Sequence, residues 1–180
     1  MLRLVFCLLV LASPSLGQET RSDELGTLNP DEMTWGRVLE NAERGETSMT
    51  TCAAGYMITK SGKHEAARTL FQRCAEAGYT GAMTWMGQLD NNGLGGEYDP
   101  DAAAEWDRQA ADLGDPVGQF NYGLALLRGH GVARDETRGK ALVDRAAEQG
   151  LDIAQELQQA EYDPAAVTPD ADEWKYAPLF

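Results

Sequence analysis

Positive charge is scarce in this 180-residue chain, which has 15 Lys and Arg against 29 Asp and Glu and a formal net charge of −14. Nucleic acids and anionic lipid surfaces would repel such a protein. The composition therefore predicts no nucleic-acid partner and no binding to an anionic membrane. It is compatible with a well-solvated protein or with a basic partner.

Long apolar runs are also lacking, and the one from Leu4 to Ala12 is too short to span a bilayer. It follows Arg3 and precedes the small residues Ser15 and Gly17, a pattern typical of a signal peptide. We expect residues 1–17 to be removed, residues 18–30 to form an acidic N-terminal segment, and the protein to be periplasmic or secreted, without membrane insertion. A buried N-terminal helix is the alternative, although "ASPSLG" would break it.

The residues of common catalytic and metal motifs are few. The two histidines, His64 and His130, form no H-E-x-x-H pair, and no S-x-x-K serine motif follows the signal peptide. The segment "DNNGLGGEYDPD" partly fits a calcium loop, but Leu94 stands where an oxygen ligand is required. The acids Asp107, Asp144 and Glu148 are predicted on outer, solvated helix faces. We therefore expect no catalytic residues, no metal and no cofactor.

What the sequence does contain is a repeat of 36 residues. Four glycines, an aspartate and an alanine pair of the middle copy recur at this offset in the last copy. The paired positions run from Ala82, Gly87, Gly93, Gly95, Asp99, Trp106, Ala110, Ala111 and Gly114 to Gly118, Gly123, Gly129, Gly131, Asp135, Leu142, Ala146, Ala147 and Gly150. The first copy keeps the offset only in its second half, because "TKSGKHE" replaces a longer glycine-rich loop. Such a period predicts stacked supersecondary units.

Each copy is predicted to be a pair of helices. Apolar residues recur at helical spacing, aspartates stand at N-cap positions, and glycines follow the last turns. The predicted repeats cover about 50–78, 82–114 and 118–150, between a cap helix at 31–45 and a terminal helix at 153–161. The repeat domain thus spans 31–161, and the acidic, proline-containing segment 162–180 is expected to be mostly extended.

The segment "FNYGLALLRGHGVARDETRGKALVDRAAEQGLDIA" resembles a Sel1-like repeat, a relative of the tetratricopeptide repeat. The G-x-G-V loop at Gly129–Val132, the acidic cap Asp135 and the alanine pair before Gly150 carry the resemblance, which covers roughly residues 50–160. It implies an all-α solenoid of stacked antiparallel helix hairpins. It also implies a non-catalytic scaffold or regulator that binds another protein.

Two cysteines, Cys52 and Cys74, remain after the expected signal peptide. An even number in an exported protein favours a disulfide, and the two positions lie side by side in an antiparallel helix pair. Two buried free thiols are the alternative.

By analogy with tetratricopeptide stacks, the first helices line a concave groove. The residues predicted to face it or flank it are Tyr56, Thr84, Trp85, Gln88, Phe120, Asn121 and Leu124. The competing interpretation places Tyr56, Phe120 and Leu124 in the core. Trp174, Tyr176 and Phe180 are expected either to fold back into the groove or to engage a partner directly.

The sequence leaves three classes of function open. The leading hypothesis is an exported interaction scaffold. The alternatives are a hydrolase that acts on cell-wall or peptide substrates, and a secreted structural or virulence-associated factor.

Overall fold

The computed structural model describes residues 34–167 and Pro169. Residues 1–33, with the expected signal peptide, and residues 168 and 170–180, with Trp174, Tyr176 and Phe180, lie outside the described part. Within that part the chain forms eight α-helices and no β-strand. In order they are α1 (Trp35–Glu43), α2 (Met49–Lys60), α3 (His64–Glu76), α4 (Thr80–Asn92), α5 (Pro100–Asp112), α6 (Pro116–Arg128), α7 (Glu136–Glu148) and α8 (Asp152–Gln159).

The helices pack in sequence order, each against the next one along the chain. Three antiparallel hairpins, α2–α3, α4–α5 and α6–α7, are stacked, with α1 against the first and α8 against the last. The predicted all-α solenoid is therefore the fold of the described chain. None of these helices has the length and apolar character needed to cross a membrane.

Local sequence signals set the helix ends. The side chains of Asp99, Asp115 and Asp135 each accept a hydrogen bond from a backbone N–H in the first turn of α5, α6 and α7. At the other end, α4 and α6 stop at Gly93 and Gly129, which have φ values of 61° and 67°. This left-handed conformation favours glycine because a Cβ atom would be strained there.

Small residues let the helices approach closely inside each hairpin and between hairpins. A Cβ atom on Gly123 of α6 would lie 3.0 Å from the carbonyl oxygen of Gly139 in α7. A Cβ on Gly118 would lie 2.5 Å from the Cβ of Ala110 in α5. These glycines lower helix propensity, and the close packing of backbones explains why they stand within helices.

The glycine-rich loops also join neighbouring repeats. Gly131, in the α6–α7 loop, lies so close to α5 that a Cβ atom would be 1.9 Å from the carbonyl oxygen of Pro100. Gly95, 36 residues earlier, stands in the same relation to the backbone of His64 at the start of α3. The second glycine of each loop thus rests on the first turn of the preceding repeat's second helix.

A partly buried ion pair links the first hairpin to the second. Arg68 of α3 donates to Asp90 of α4 over 2.6 Å and also reaches the carbonyl oxygen of Leu94. Asp90, the first residue of the segment that partly fits a calcium loop, is therefore bound to a guanidinium group.

Candidate binding site

The predicted disulfide is present between the two helices of the first hairpin. Cys52 of α2 and Cys74 of α3 are bonded, with their Cα atoms 5.8 Å apart, and both side chains are buried. The distance lies in the range usual for disulfides. The bridge ties together the copy that has the shortened loop.

The structure does not bring the seven predicted groove residues together on one open surface. Thr84, Trp85, Phe120, Asn121 and Leu124 are buried, and Tyr56 and Gln88 are half-buried. Direct contact between a partner and these residues stays a prediction. Tyr56 and Gln88 are the two whose side chains are partly exposed.

An aromatic cluster occupies the contact between the first and second hairpins. The ring of Trp85 in α4 stacks on Phe71 of α3, with centroids 5.5 Å apart, and Tyr56 meets Trp85 edge-on at 5.7 Å. The ammonium group of Lys60 lies over the Tyr56 ring. Trp85 and Phe71 are core residues here, with Tyr56 as the partly exposed rim of their cluster.

Phe120 and Leu124 belong to a second core cluster. Both pack with Val143, Ala146 and the α8 residues Ala154 and Leu157, and Phe120 is 0% exposed. For Phe120 and Leu124 the structure thus agrees with the competing interpretation, which placed them in the core. Tyr56 also packs against the core, although it is not fully enclosed.

The three contacts between successive units use the same two repeat positions with different chemistry. Phe71 faces Trp85, and the fully buried Val143 and Leu157 share a cluster two repeats further along. At the corresponding positions of the middle contact stand Asp107 and Asn121, and the Asn121 side-chain amide donates to Asp107 Oδ1 over 3.4 Å. A polar pair therefore replaces apolar pairs at the centre of the stack.

Asp107 was predicted on a solvated outer face, and that prediction is wrong, because its residue is 3% exposed. Burial raises the pKa of its carboxyl group well above the ordinary value; Asn121 opposes the rise and the charge of Asp115 adds to it. Asp144, another of the predicted solvated acids, is half-buried and accepts hydrogen bonds from Tyr162 and Gln158. Glu148 is exposed as predicted.

Asp107 lines a cleft between α5 and α6, which we call the Asp107 cleft. Its walls come from α4, α5, α6, the α6–α7 loop and the segment after α8. The residues used below are Asn91, Asp107, Asn121, Arg128, His130 and Pro169. The His130 ring donates to Asn91 Oδ1 across 3.1 Å, so this half-buried histidine of the α6–α7 loop is part of the wall. The Asp107 carboxyl group and the two side-chain amides offer hydrogen-bond donors and acceptors there.

The start of the tail, predicted to be mostly extended, is docked on the repeats. For residues 162–167 the prediction is wrong because they run through turns, with the Ala166 N–H donating to the carbonyl oxygen of Asp163. We call residues 162–167 and Pro169 the strap. Arg128 donates to the carbonyl oxygens of Pro164 and Val167, and Val167 is 8% exposed within the second core cluster. The Tyr162 hydroxyl donates to Asp144 over 2.6 Å. The strap then brings Pro169 into the wall of the Asp107 cleft.

The sequence analysis did not predict the cleft, because helical spacing alone placed Asp107 on an outer, solvated helix face. The signal that could have found it is the 36-residue alignment itself, since the equivalent positions hold Phe71 and Val143. Within the described residues no group of three or more His, Cys, Asp and Glu side chains is arranged to hold a metal ion.

Comparison with known proteins agrees with this architecture. The Sel1 repeat family matches residues 80–115 and 116–151, within two residues of the predicted limits of the second and third copies. No curated protein matches the chain.

Two solved structures are similar in fold. A Sel1 repeat protein from Oxalobacter formigenes is 25% identical with a TM-score of 0.59, and the match covers 68% of this chain and 95% of that one. The protein c5321, described as a protective antigen of uropathogenic Escherichia coli with an SLR fold, is 26% identical with a TM-score of 0.61. That match covers 78% of this chain but only 32% of c5321, so the present chain spans about a third of its length. The chain thus contains two Sel1 repeats, at residues 80–115 and 116–151, and shares its fold with solved proteins of the Sel1 and SLR type.

Proposed function

We propose that this protein is exported to the periplasm or beyond, where it acts as a non-catalytic scaffold or regulator by binding another protein. The observation that carries the proposal is the stack of three helix hairpins, which presents a surface continuous from one repeat to the next. Sel1 repeats typically mediate protein–protein interaction.

Export is supported by two independent features. One is the signal-peptide pattern of residues 1–17. The other is the Cys52–Cys74 disulfide, because such bonds persist mainly in oxidising compartments. Detection of the chain in a periplasmic or culture fraction, shortened at its N-terminus by mass spectrometry, is the expected result. A full-length, reduced chain in the cytoplasm would contradict it.

Binding is tested by capture from a periplasmic extract on the immobilised, oxidised protein, with quantitative mass spectrometry. Tyr56→Ala is the suitable variant for the rim of the aromatic cluster, because Tyr56 is partly exposed. Phe120→Ala, in contrast, would empty a fully buried site and report on stability. We expect a saturable protein partner whose yield falls with Tyr56→Ala while the helical circular dichroism is unchanged.

The hydrolase alternative is tested with the same purified protein. Turnover of peptidoglycan or of a β-lactam substrate would overturn the non-catalytic assignment. A third readout, the fraction of the protein that stays cell-bound, separates a periplasmic scaffold from a secreted structural or virulence-associated factor.

A further inference from the structure

The strap is held in part by contacts to its backbone, which another peptide able to adopt the same turn could also make. Arg128 binds it through two backbone carbonyl oxygens, Pro164 and Val167, and side-chain identity does not enter these bonds. Val167 fills an apolar site between α6, α7 and α8, lined by residues of the second core cluster. Main-chain hydrogen bonds combined with one side-chain pocket are a common mode of peptide recognition.

The cleft beyond this site carries polar groups that the fold does not require. At the equivalent positions of the stack, Phe71 with Trp85 and Val143 with Leu157 pack two units together through ring stacking and aliphatic contact, without a polar pair. Asp107 and Asn121 are buried instead, and a buried polar pair stabilises a helix contact less than an apolar one. Pro169 of the strap lines the Asp107 cleft, which also contains Asn121.

We propose that Arg128 and the Asp107 cleft form a peptide-binding seat, and that the strap is its intramolecular occupant, so that a partner's peptide has to displace it. This inference rests on the proposed function, because it assigns a peptide class and a competitor to the binding of a partner. The strap follows α8 almost directly, and such short tethers give effective concentrations on the order of millimolar. The seat is thus closed in the free protein.

The test uses the full chain in isotope-labelled form and a synthetic peptide of residues 162–180, followed by NMR titration of the Arg128 Nε–H and the Asn121 side-chain amide. Val167→Asp places a charge in the apolar site and releases the strap. Ala166→Asp is the matched control, because it adds the same charge at the neighbouring exposed position. We expect saturable shifts with Val167→Asp, and affinity weaker by about tenfold or more with the control and with the unmodified chain.

Arg128→Gln, added to Val167→Asp, should abolish the shifts at the Asn121 amide because the guanidinium N–H groups that donate to the peptide's carbonyl oxygens are lost. Circular dichroism verifies that each variant is folded. If Val167→Asp does not fold, Val167→Ser replaces it as a milder variant that releases the strap. Absence of peptide binding to a folded release variant overturns the inference. Equal binding to the released, control and unmodified chains overturns it as well, as does equal binding of a shorter peptide of residues 170–180.

This assay contains no partner protein, so its outcome is independent of the capture experiment. A positive titration with no captured protein would count against the proposed function and leave the seat in place. A captured partner with a negative titration would count against the seat alone.

Discussion

Where the first and third repeats carry Phe71 and Val143, the middle repeat carries a carboxyl group. Asp107 is buried away from water, and this desolvation is the main reason that the pKa of its carboxyl group is raised. The folded chain therefore holds this proton more tightly than the unfolded chain does. Stability and pH are linked through this one side chain.

The sign of that link gives the first prediction. As the pH rises above about 4, the unfolded chain loses the Asp107 proton first, so the free energy of unfolding falls until the raised pKa is passed. Asp107→Asn keeps the shape and removes the titration. We expect the variant to be more stable at about pH 7 by on the order of 1 kcal/mol, with the difference shrinking toward pH 4.

Urea unfolding followed by circular dichroism over this pH range measures the effect. Glu148→Gln is the matched control, because it removes one acidic charge from the exposed face of α7. Equal gains from both variants would mean that relief of the net charge of −14, and not burial of Asp107, sets the profile.

At the scale of the elements, the loops between first and second helices matter through their contacts with the preceding repeat. Gly131 combines a φ of 66° with an approach to the Pro100 carbonyl that leaves no room for a side chain. Gly114 also has a positive φ, 88°, but nothing lies within 4 Å of its Cβ position. Comparing substitutions at Gly114 and Gly131 therefore separates the cost of backbone strain from the cost of disturbing the contact between repeats.

We expect Gly114→Ala to lower the free energy of unfolding by about 1–2 kcal/mol, the usual penalty for a left-handed non-glycine residue. Gly131→Ala adds a clash with backbone atoms, which cannot swing aside, so its loss should be larger by at least about 1–3 kcal/mol. Chemical denaturation of both variants measures the difference. Equal losses would show that the loop does not hold the repeats together.

The disulfide stabilises the first hairpin. It joins residues 22 apart in sequence, and loop closure of this length contributes about 3 kcal/mol. We expect that loss on reduction, and a matching loss in the Cys52→Ala/Cys74→Ala variant, measured by urea unfolding with and without reductant. The double variant must be insensitive to reductant, and an unmodified protein equally insensitive would contradict a stabilising bridge.

At the scale of the whole molecule, regular short-range patterns predicted the stack, and long-range contacts decided the site. The spacing of Asp99, Gly129 and the other cap residues is local information, so the helix limits followed from it to within a few residues. The contact of Arg128 with Val167 joins positions 39 residues apart, beyond the single 36-residue repeat in which the helix signals are read. The docked strap was for this reason outside the reach of periodicity.

A stack of this kind is stabilised by each unit and by its contacts with its neighbours, so damage in one unit stays partly local. The hairpin α2–α3 lies next to the terminal helix α1 and carries the disulfide, whereas α6–α7 is held between α5 and α8. Reduction of the disulfide should therefore loosen one end of the molecule and leave the other intact.

Hydrogen exchange with mass spectrometry tests this expectation. After reduction, amides in α2 and α3 should exchange faster by on the order of a hundredfold, which corresponds to the loss of about 3 kcal/mol from that hairpin. Amides in α6 and α7 should keep their rates, and the Cys52→Ala/Cys74→Ala variant should show the same division without reductant. A uniform increase over α2–α7 would instead mean that the ion pair of Arg68 with Asp90 and the stacked rings of Phe71 and Trp85 couple the repeats into a single cooperative unit.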